Sequence, residues 1–329
     1  MIIYSFFPSK VLSNDYLETV FPEWTAEKIE QKVGIVSRHI AGPGETPLDL
    51  AEQACLRLFA DYPEAKESID YLLFCTQNPD FILPGNASIL QNRLGLSTSI
   101  GSLDYNLGCS GYIYGLSLAK GLLVAKIAKN VLLITAEAYT KRINPKDKGN
   151  RSIFGDAATA TFLSEKDAAS IGEFVLGTDG SGANNLQIRN GGVRYPVSSC
   201  EEKNYGSGNV YTDNDLYMDG PEIFNFTIDA VPAMVSETLK KNQLKKDDIS
   251  LYVFHQANSY ILNFLRKLIR IPEDRFYLNM RETGNTVSNT IPIALADAMK
   301  SARIHIGDKV LIAGFGVGYS YGATILTIQ

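Results

Sequence analysis

Apolar and polar positions fall into short alternating blocks along the chain. The N-terminal run Ile2–Phe7 is apolar, is stopped by Pro8, and reads as a first strand. Residues 14–60 read as helices joined by loops. Asp70–Thr76 (DYLLFCT) is a short, largely apolar strand, and Pro79 and Pro84 then punctuate a loop before a helix near Ala87–Leu94. Ser102–Asn106 reads as a further strand. Gly108 opens a long helix from about Cys109 to Ala128, which carries Ser110, Gly111, Gly115, Ser117, Ala119, Gly121 and Ala125. Each glycine costs a helix about 1 kcal/mol relative to alanine. So many small residues point to a helix packed against other backbone. Val131–Thr135 and Ala157–Leu163 are strands of the buried type.

The second half repeats this plan. Leu251–Phe254 is a strand ending at His255, Asn258–Ile269 a helix, and Arg275–Asn279 a strand. Gly284 and Asn285 open a helix to about Lys300, and strands follow at Lys309–Ala313 and Gly322–Ile328. DYLLFCTQ aligns with SLYVFHQA, placing Phe74 over Phe254 at an offset of 180. Gly108 falls over Gly284 at 176, and Val131 over Val310 at 179. Segments recurring in one order at nearly one offset indicate a duplicated α/β unit. The expected division is 1–170 and 171–329. Asn184–Asp219, rich in Gly, Asn, Ser and Tyr, interrupts the repeat and reads as a long loop or insertion.

Composition narrows the class. The 329 residues are 45% hydrophobic, enough to build a large core without disulfides or metal and too many for a disordered chain. A formal net charge of −5 argues against broad nucleic-acid binding, which needs a positive surface. The N-terminus lacks the basic flank of a signal peptide, and no apolar run approaches the length of a membrane span, so a cytoplasmic protein is expected. The four cysteines are dispersed, with no CxxC, and give no disulfide framework.

Cys109 lies at the mouth of the small-residue helix, where free N–H groups and the helix dipole favour a thiolate. It reads as a nucleophile or as a buried structural cysteine. Cys55 and Cys75 read as structural. His255 ends an apolar strand, where α/β proteins place ligand-facing groups, and reads as a site residue or a core histidine. His305, beside a Gly307-Asp308 turn, reads as solvated, and His39 is unassigned. The three histidines lack Cys or acidic neighbours at ligand spacing, which argues against zinc. Asn285 reads as a polar site group or an N-cap. The repeat adds weight to the site readings, because His255 occupies the position of Cys75 and Asn285 that of Cys109. Gly314, Gly316 and Gly318 follow a strand but precede no helix, so they do not make a dinucleotide fingerprint. They read as an oxyanion-binding turn or a tight hairpin.

Five segments together resemble a known family. They are LGCSGYIYGLSLAKG around Cys109, FGDAATA at 154–160, FHQAN at 254–258, TGNTVSNTIPIAL at 283–295 and GFGVGYSYGA at 314–323. In this order they resemble the condensing enzymes of the thiolase superfamily, of the ketoacyl-acyl-carrier-protein synthase III type, over nearly the whole chain. The resemblance implies a layered α/β/α/β/α fold with pseudo-twofold halves. It implies a catalytic triad of Cys109, His255 and Asn285, with the backbone N–H groups of Cys109 and of a residue near Val317 as oxyanion hole. The implied reaction is a decarboxylative Claisen condensation. Cys109 takes an acyl group from a thioester, a malonyl thioester loses carbon dioxide, and a 3-ketoacyl thioester leaves. No metal or redox cofactor is implied. The implied partners are an acyl carrier protein, acyl and malonyl thioesters with coenzyme A as an alternative carrier, and a second copy of the chain whose loop near 79–86 closes the acyl pocket.

Several positions depart from the family pattern. Lys28 stands where family members that prime with acyl-coenzyme A carry Trp, and Trp24 lies one helical turn away. Lys32 and Lys148 replace arginines, and Tyr260 replaces another. Lysine lacks the guanidinium fork and tyrosine lacks the charge, so a weakened coenzyme A clamp is expected. Arg266, Lys267 and Arg270 lie on the helix after His255. Arg266 and Arg270 are expected to share a face, and Lys267 matches a family position for carrier docking. Two other readings remain at this level. One is an acyltransferase that hands the Cys-bound acyl group to a hydroxyl or amine. The other is a non-catalytic partner subunit, which typically lacks the nucleophile or histidine that this chain retains.

Overall fold

The strands expected in the first half form β1 (Ile2–Phe6), β2 (Tyr71–Cys75), β3 (Gly101–Tyr105), β4 (Asn130–Glu137) and β5 (Ala157–Ser164) in a computed structural model that describes residues 1–329. They make one sheet ordered β1-β5-β4-β2-β3. β2 runs parallel to β3 and β4, and β5 runs antiparallel to β4 and β1. The second sheet comprises β6 (Val175–Thr178), β7 (Leu251–Phe254), β8 (Lys309–Gly316) and β9 (Ser320–Thr327) in the order β7-β8-β9-β6. β7 and β8 are parallel and the other pairs antiparallel. The register repeats as the sequence repeat requires: Tyr71 faces Val131 and Leu251 faces Val310.

Six helices complete the layers: α1 (Ala26–Val33), α2 (Pro47–Asp61), α3 (Gly111–Val124), α4 (Gly220–Lys241), α5 (Ser259–Ile269) and α6 (Thr290–Lys300). Side chains on a strand alternate between faces, and both sheets use both faces. Leu73, Val131 and Leu133 of one sheet, and Leu251, Val253, Val310 and Ile312 of the other, point inward to one core with α3 and α6. Leu72, Phe74, Leu132 and Ile134 point outward to α2. Tyr252, Phe254, Leu311 and Ala313 point outward to α4 and α5. The result is the layered α/β/α/β/α arrangement with duplicated halves.

The small residues of α3 have a partly local cause. A Cβ on Gly115 would lie 2.2 Å from Tyr105 Oη and 2.6 Å from Leu133 Cδ1, and one on Gly111 would lie 2.5 Å from Cys75 Sγ. Gly121 meets nothing within 4 Å, so packing does not require it.

Three boundaries differ from expectation. α3 starts at Gly111, leaving Cys109 and Ser110 in the turn before it. The helix expected from Asn285 begins with a short 3-10 turn, Val287–Asn289, before α6. Arg275–Asn279 is not a strand: a 3-10 turn Glu273–Arg275 leads to one bridge between Tyr252 and Phe276. The Gln256 side chain ends the ladder there. It donates to Tyr277 O at 3.2 Å and accepts from Asn279 N at 2.8 Å, taking backbone partners a longer strand would use. The 184–219 insertion is a loop carrying two short ladders, Leu186–Gln187 with Tyr217–Met218 and Lys203–Tyr205 with Asn209–Tyr211. Tyr205 Oη ties it down by donating to Asp147 Oδ2 at 2.6 Å. No helix is long and apolar enough to cross a membrane.

Candidate active site

The carboxyl ends of equivalent strands in the two halves converge on one cavity of about 340 Å³. Cys109, His255 and Asn285 all line it, with Gly316 and Val317 from the turn after β8. All three side chains are buried. Cys109 also packs in an apolar cluster with Tyr139, Phe154, Leu186, Leu216 and Val287. The glycines after β8 make this approach feasible. A Cβ on Gly314 would sit 2.7 Å from Cys109 O, and one on Gly316 would sit 3.0 Å from Cys109 Sγ. Ser110 Oγ and Ser320 Oγ, 2.6 Å apart, join the two halves just behind the cysteine.

Asn285 is held through its oxygen. Oδ1 accepts from Val287 N at 2.9 Å, while Nδ2 lies 3.5 Å from His255 Nε2 and 3.4 Å from Ala257 O. Asn285 is therefore not the helix N-cap, a place taken by Thr286 for the 3-10 turn and by Asn289 for α6; its oxygen instead fixes the turn before them, and its nitrogen faces His255. Gly284 takes φ +67, where a Cβ would meet Ile153 O at 2.8 Å, and Val287 takes φ 57. A β-branched residue in that region is uncommon, and here it supports the turn that aims Asn285.

His255 Nδ1 lies 2.7 Å from Thr290 Oγ1, and that hydroxyl is 3.1 Å from Val287 O. A hydroxyl can give or accept one hydrogen bond along this line, so Thr290 supports either tautomer of the imidazole. Burial drops the His255 pKa to about 3, so the ring is neutral across the physiological range. Burial, reinforced by the Glu137 carboxylate, pushes the Cys109 thiol up to about 12. The resting pair is thus a neutral thiol and a neutral imidazole. This differs from the thiolate expected at the helix mouth, because Cys109 precedes α3 and is buried among apolar side chains. Its backbone N–H and that of Val317 have no acceptor within the chain, which leaves two donors free at the cavity.

The remaining candidates are scattered. Cys55 and Cys75 are buried, and the Cys75 thiol donates to Leu107 O at 3.0 Å. His39 Nδ1 lies 2.7 Å from Pro8 O, away from the cavity, and His305 is exposed. Arg266 is turned to Glu273 at 3.0 Å, and Arg270 is the α5 C-cap in the left-handed region, so the expected shared face does not form. Lys267 and Arg270 are exposed and make no ion pair within 4.0 Å. Trp24 donates to Ser152 Oγ at 2.7 Å and is covered by Lys32 Nζ at 4.9 Å. Lys148 pairs with Glu23 at 2.8 Å. Tyr260 is exposed at the rim of the cavity and lies against Phe224, with ring centroids 5.9 Å apart.

Four residues near the site were not singled out by the sequence. Thr290 sits inside the TGNTVSNTIPIAL segment, where its contact to His255 has no local signal. Glu137 ends the apolar β4, and an acid there is a visible exception. It is fully buried and accepts from Gln77 N and Ser288 Oγ. Gln77 and Tyr139 line the cavity beside Cys109.

Comparison with known proteins agrees with this geometry. Residues 103–180 match the family profile "3-Oxoacyl-[acyl-carrier-protein (ACP)] synthase III", and residues 239–328 match its C-terminal counterpart. The chain is 32% identical to a β-ketoacyl-[acyl-carrier-protein] synthase III of Fusobacterium nucleatum, over 97% of this chain and 95% of that protein. It is 33% identical to one of Caldanaerobacter subterraneus, over 98% and 95%. A crystal structure of a 3-oxoacyl-(acyl-carrier-protein) synthase III superposes with a TM-score of 0.96 at 43% identity, over 99% of this chain and 98% of the other. The chain therefore belongs to the ketoacyl-acyl-carrier-protein synthase III family of thiolase-superfamily condensing enzymes, acyltransferases that work through an acyl-cysteine intermediate.

Proposed function

We propose that this protein catalyses the decarboxylative condensation of an acyl primer with a malonyl thioester carried by an acyl carrier protein, using Cys109, His255 and Asn285. The observation that carries the reading is the burial of these three side chains around one largely apolar cavity. Cys109 Sγ attacks the acyl thioester carbonyl, and its proton passes by way of His255 Nε2 to the departing thiolate. The tetrahedral oxygen rests on the N–H groups of Cys109 and Val317. The malonyl thioester then enters. As carbon dioxide leaves, charge collects on the thioester oxygen, where Nε2–H of the other His255 tautomer and Nδ2 of Asn285 donate. The carbanion attacks the acyl-cysteine carbonyl, the C–S bond breaks and the 3-ketoacyl thioester departs, and the Cys109 thiolate left behind takes one proton from solvent, the proton that the overall reaction consumes. The proposed chemistry needs no metal or redox cofactor.

The charged groups favour a carrier-bound donor over coenzyme A. Trp24 is engaged by Ser152 and Lys32, Lys148 by Glu23, and Tyr260 brings no charge. Lys267 and Arg270 remain free to meet an acidic carrier, with Arg266 structural through Glu273. A cytoplasmic location fits these donors. The halves divide near residue 170 in this reading, since Val175–Thr178 already belongs to the second sheet.

A second copy of the chain completes the proposal. β3 is an edge strand, and Phe81, Ile82 and Leu83 beside it are exposed at 57%, 90% and 81%. An open edge with apolar neighbours is a pairing surface. In the dimer the 79–86 loop would border the partner's acyl pocket.

The test of the nucleophile is intact-mass analysis of wild type and Cys109→Ala after exposure to a panel of acyl-carrier and acyl-coenzyme A donors. The wild type should gain one acyl group, and the folded variant none. Labelling that persists in the variant at Cys75 would reassign the nucleophile.

A further inference from the structure

Beside Cys109, apart from His255 and Asn285, the cavity carries a second hydrogen-bonded polar pair. Tyr139 Oη donates to Gln77 Oε1 at 3.3 Å, and both residues face the cavity. Tyr139 is 4% exposed, and its ring lies 5.1 Å from that of Phe154. Gln77 is held from two directions. Its backbone N–H donates to both oxygens of the buried Glu137 carboxylate, at 3.2 and 3.3 Å, and its side-chain oxygen is fixed by Tyr139. Room for it is built in: a Cβ on Gly108 would lie 2.5 Å from Gln77 Oε1. With Oε1 so engaged, the amide nitrogen Nε2 has no acceptor within the chain.

An acyl group on Cys109 would enter this cavity, which Cys109 lines together with Gln77, Tyr139, Phe154, Leu186 and Val287. A plain alkyl chain would displace water from the Gln77 amide and return nothing. Gln77 is half-buried, so a chain laid over its amide would bury a donor without a partner, which costs more than a made hydrogen bond gains. A chain with an oxygen near its thioester end would restore the lost bond. Resting on the condensing-enzyme reading above, we propose that Gln77, oriented by Tyr139, selects a short acyl primer that carries a hydroxyl or keto oxygen close to the thioester. The apolar walls of Leu186 and Met218 would hold the few remaining carbons. Gln77 is then a specificity-determining residue and Tyr139 a positioning residue.

The experiment uses the full chain and small N-acetylcysteamine thioesters, which remove carrier docking from the comparison. Acylation of Cys109 is followed by intact mass with 3-hydroxybutyryl and 4-hydroxybutyryl donors against their respective isosteres, 3-methylbutyryl and pentanoyl, and against butyryl. Wild type should acylate faster with at least one hydroxylated donor, by about tenfold, the size of a well-made hydrogen bond. Gln77→Leu should abolish or invert that ratio and accept pentanoyl better. Tyr139→Phe keeps the ring and removes only the hydroxyl that orients Gln77, so its ratio should fall toward one. It also serves if Gln77→Leu fails to fold. A wild type that prefers butyryl, 3-methylbutyryl or pentanoyl, or a ratio unmoved in the folded variants, overturns the selection. Failure of every donor to label Cys109 would instead overturn the condensing reading on which it rests.

Discussion

Glu137 is the residue whose charge matters most to the site without entering its chemistry. It has no cation within ion-pair distance, and burial raises its pKa to about 8, with Asp156 adding to the shift. The folded protein therefore keeps a proton that the unfolded chain sheds near its ordinary value of 4.5. Ionisation is disfavoured in the fold, so this group contributes no penalty below about pH 4.5 and its full penalty above about pH 8. Glu137→Gln removes the titration while keeping an acceptor for Gln77 N–H. The melting temperature of the variant minus that of wild type should rise from pH 5 to 8 and then level off, with at most about 1.4 kcal/mol of relative stability per pH unit. A difference that stays flat over this range would show that Glu137 does not titrate there. Asp156, also raised, is present in both proteins, and its repulsion with Glu137 disappears in the variant, which acts in the same direction as pH rises. His255 and Asn285 show how far residue-scale reading from sequence can go. The duplicated positions pointed to their meeting at one cavity, as they do, but which of their atoms face it could not be read. Asn285 Oδ1 accepts from Val287 N within its own turn, and Thr290, Gln77 and Tyr139 join the site only through contacts between residues 35 or more positions apart in the chain.

Helix α3 shows the same division at the scale of an element. Its small residues announced close packing, yet the glycines do not share one cause. Gly115 has Tyr105 and Leu133 inside contact distance, whereas Gly121 faces open space. Gly115→Ala should destabilise the protein by about 1–3 kcal/mol through overpacking. Gly121→Ala should leave it unchanged or stabilise it by up to about 1 kcal/mol, since only helix propensity changes. Paired denaturant titrations check the opposite signs, and equal effects would remove the packing account of α3. Strands were legible wherever an apolar run was buried on both faces, as in β2, β4 and β7. The 275–279 segment misled because its partner is a side chain: Gln256 occupies its backbone groups. The start of α6 was misplaced because Val287 turns left-handed before the helix begins, a conformation its side chain does not advertise.

The whole molecule is a duplication put to unequal use. One strand end carries Cys75 and its twin His255, and one helix mouth carries Cys109 and its twin Asn285, so a repeated scaffold brings a thiol from one half and an imidazole and an amide from the other to one cavity, the nucleophile and donors of the proposed reaction. That relation was readable from register, and so was the 184–219 insertion, but the contacts of its Leu186 and Met218 to the cavity were not, because the segment has no counterpart in the other half. A dimer through β3 predicts that wild type sediments at twice the chain mass and that Leu83→Glu shifts it toward the monomer; a monomeric wild type would remove the partner loop from the pocket. The most direct test of the central claim is a single-turnover experiment on enzyme first acylated at Cys109 and then mixed with malonyl carrier, with carbon dioxide release and enzyme mass followed together. Wild type should release carbon dioxide and lose the acyl mass in step. His255→Ala and Asn285→Ala should stay loaded, with decarboxylation slower by about two to three orders of magnitude, the effect of removing one such donor. Normal carbon dioxide release and discharge in both variants would contradict the account.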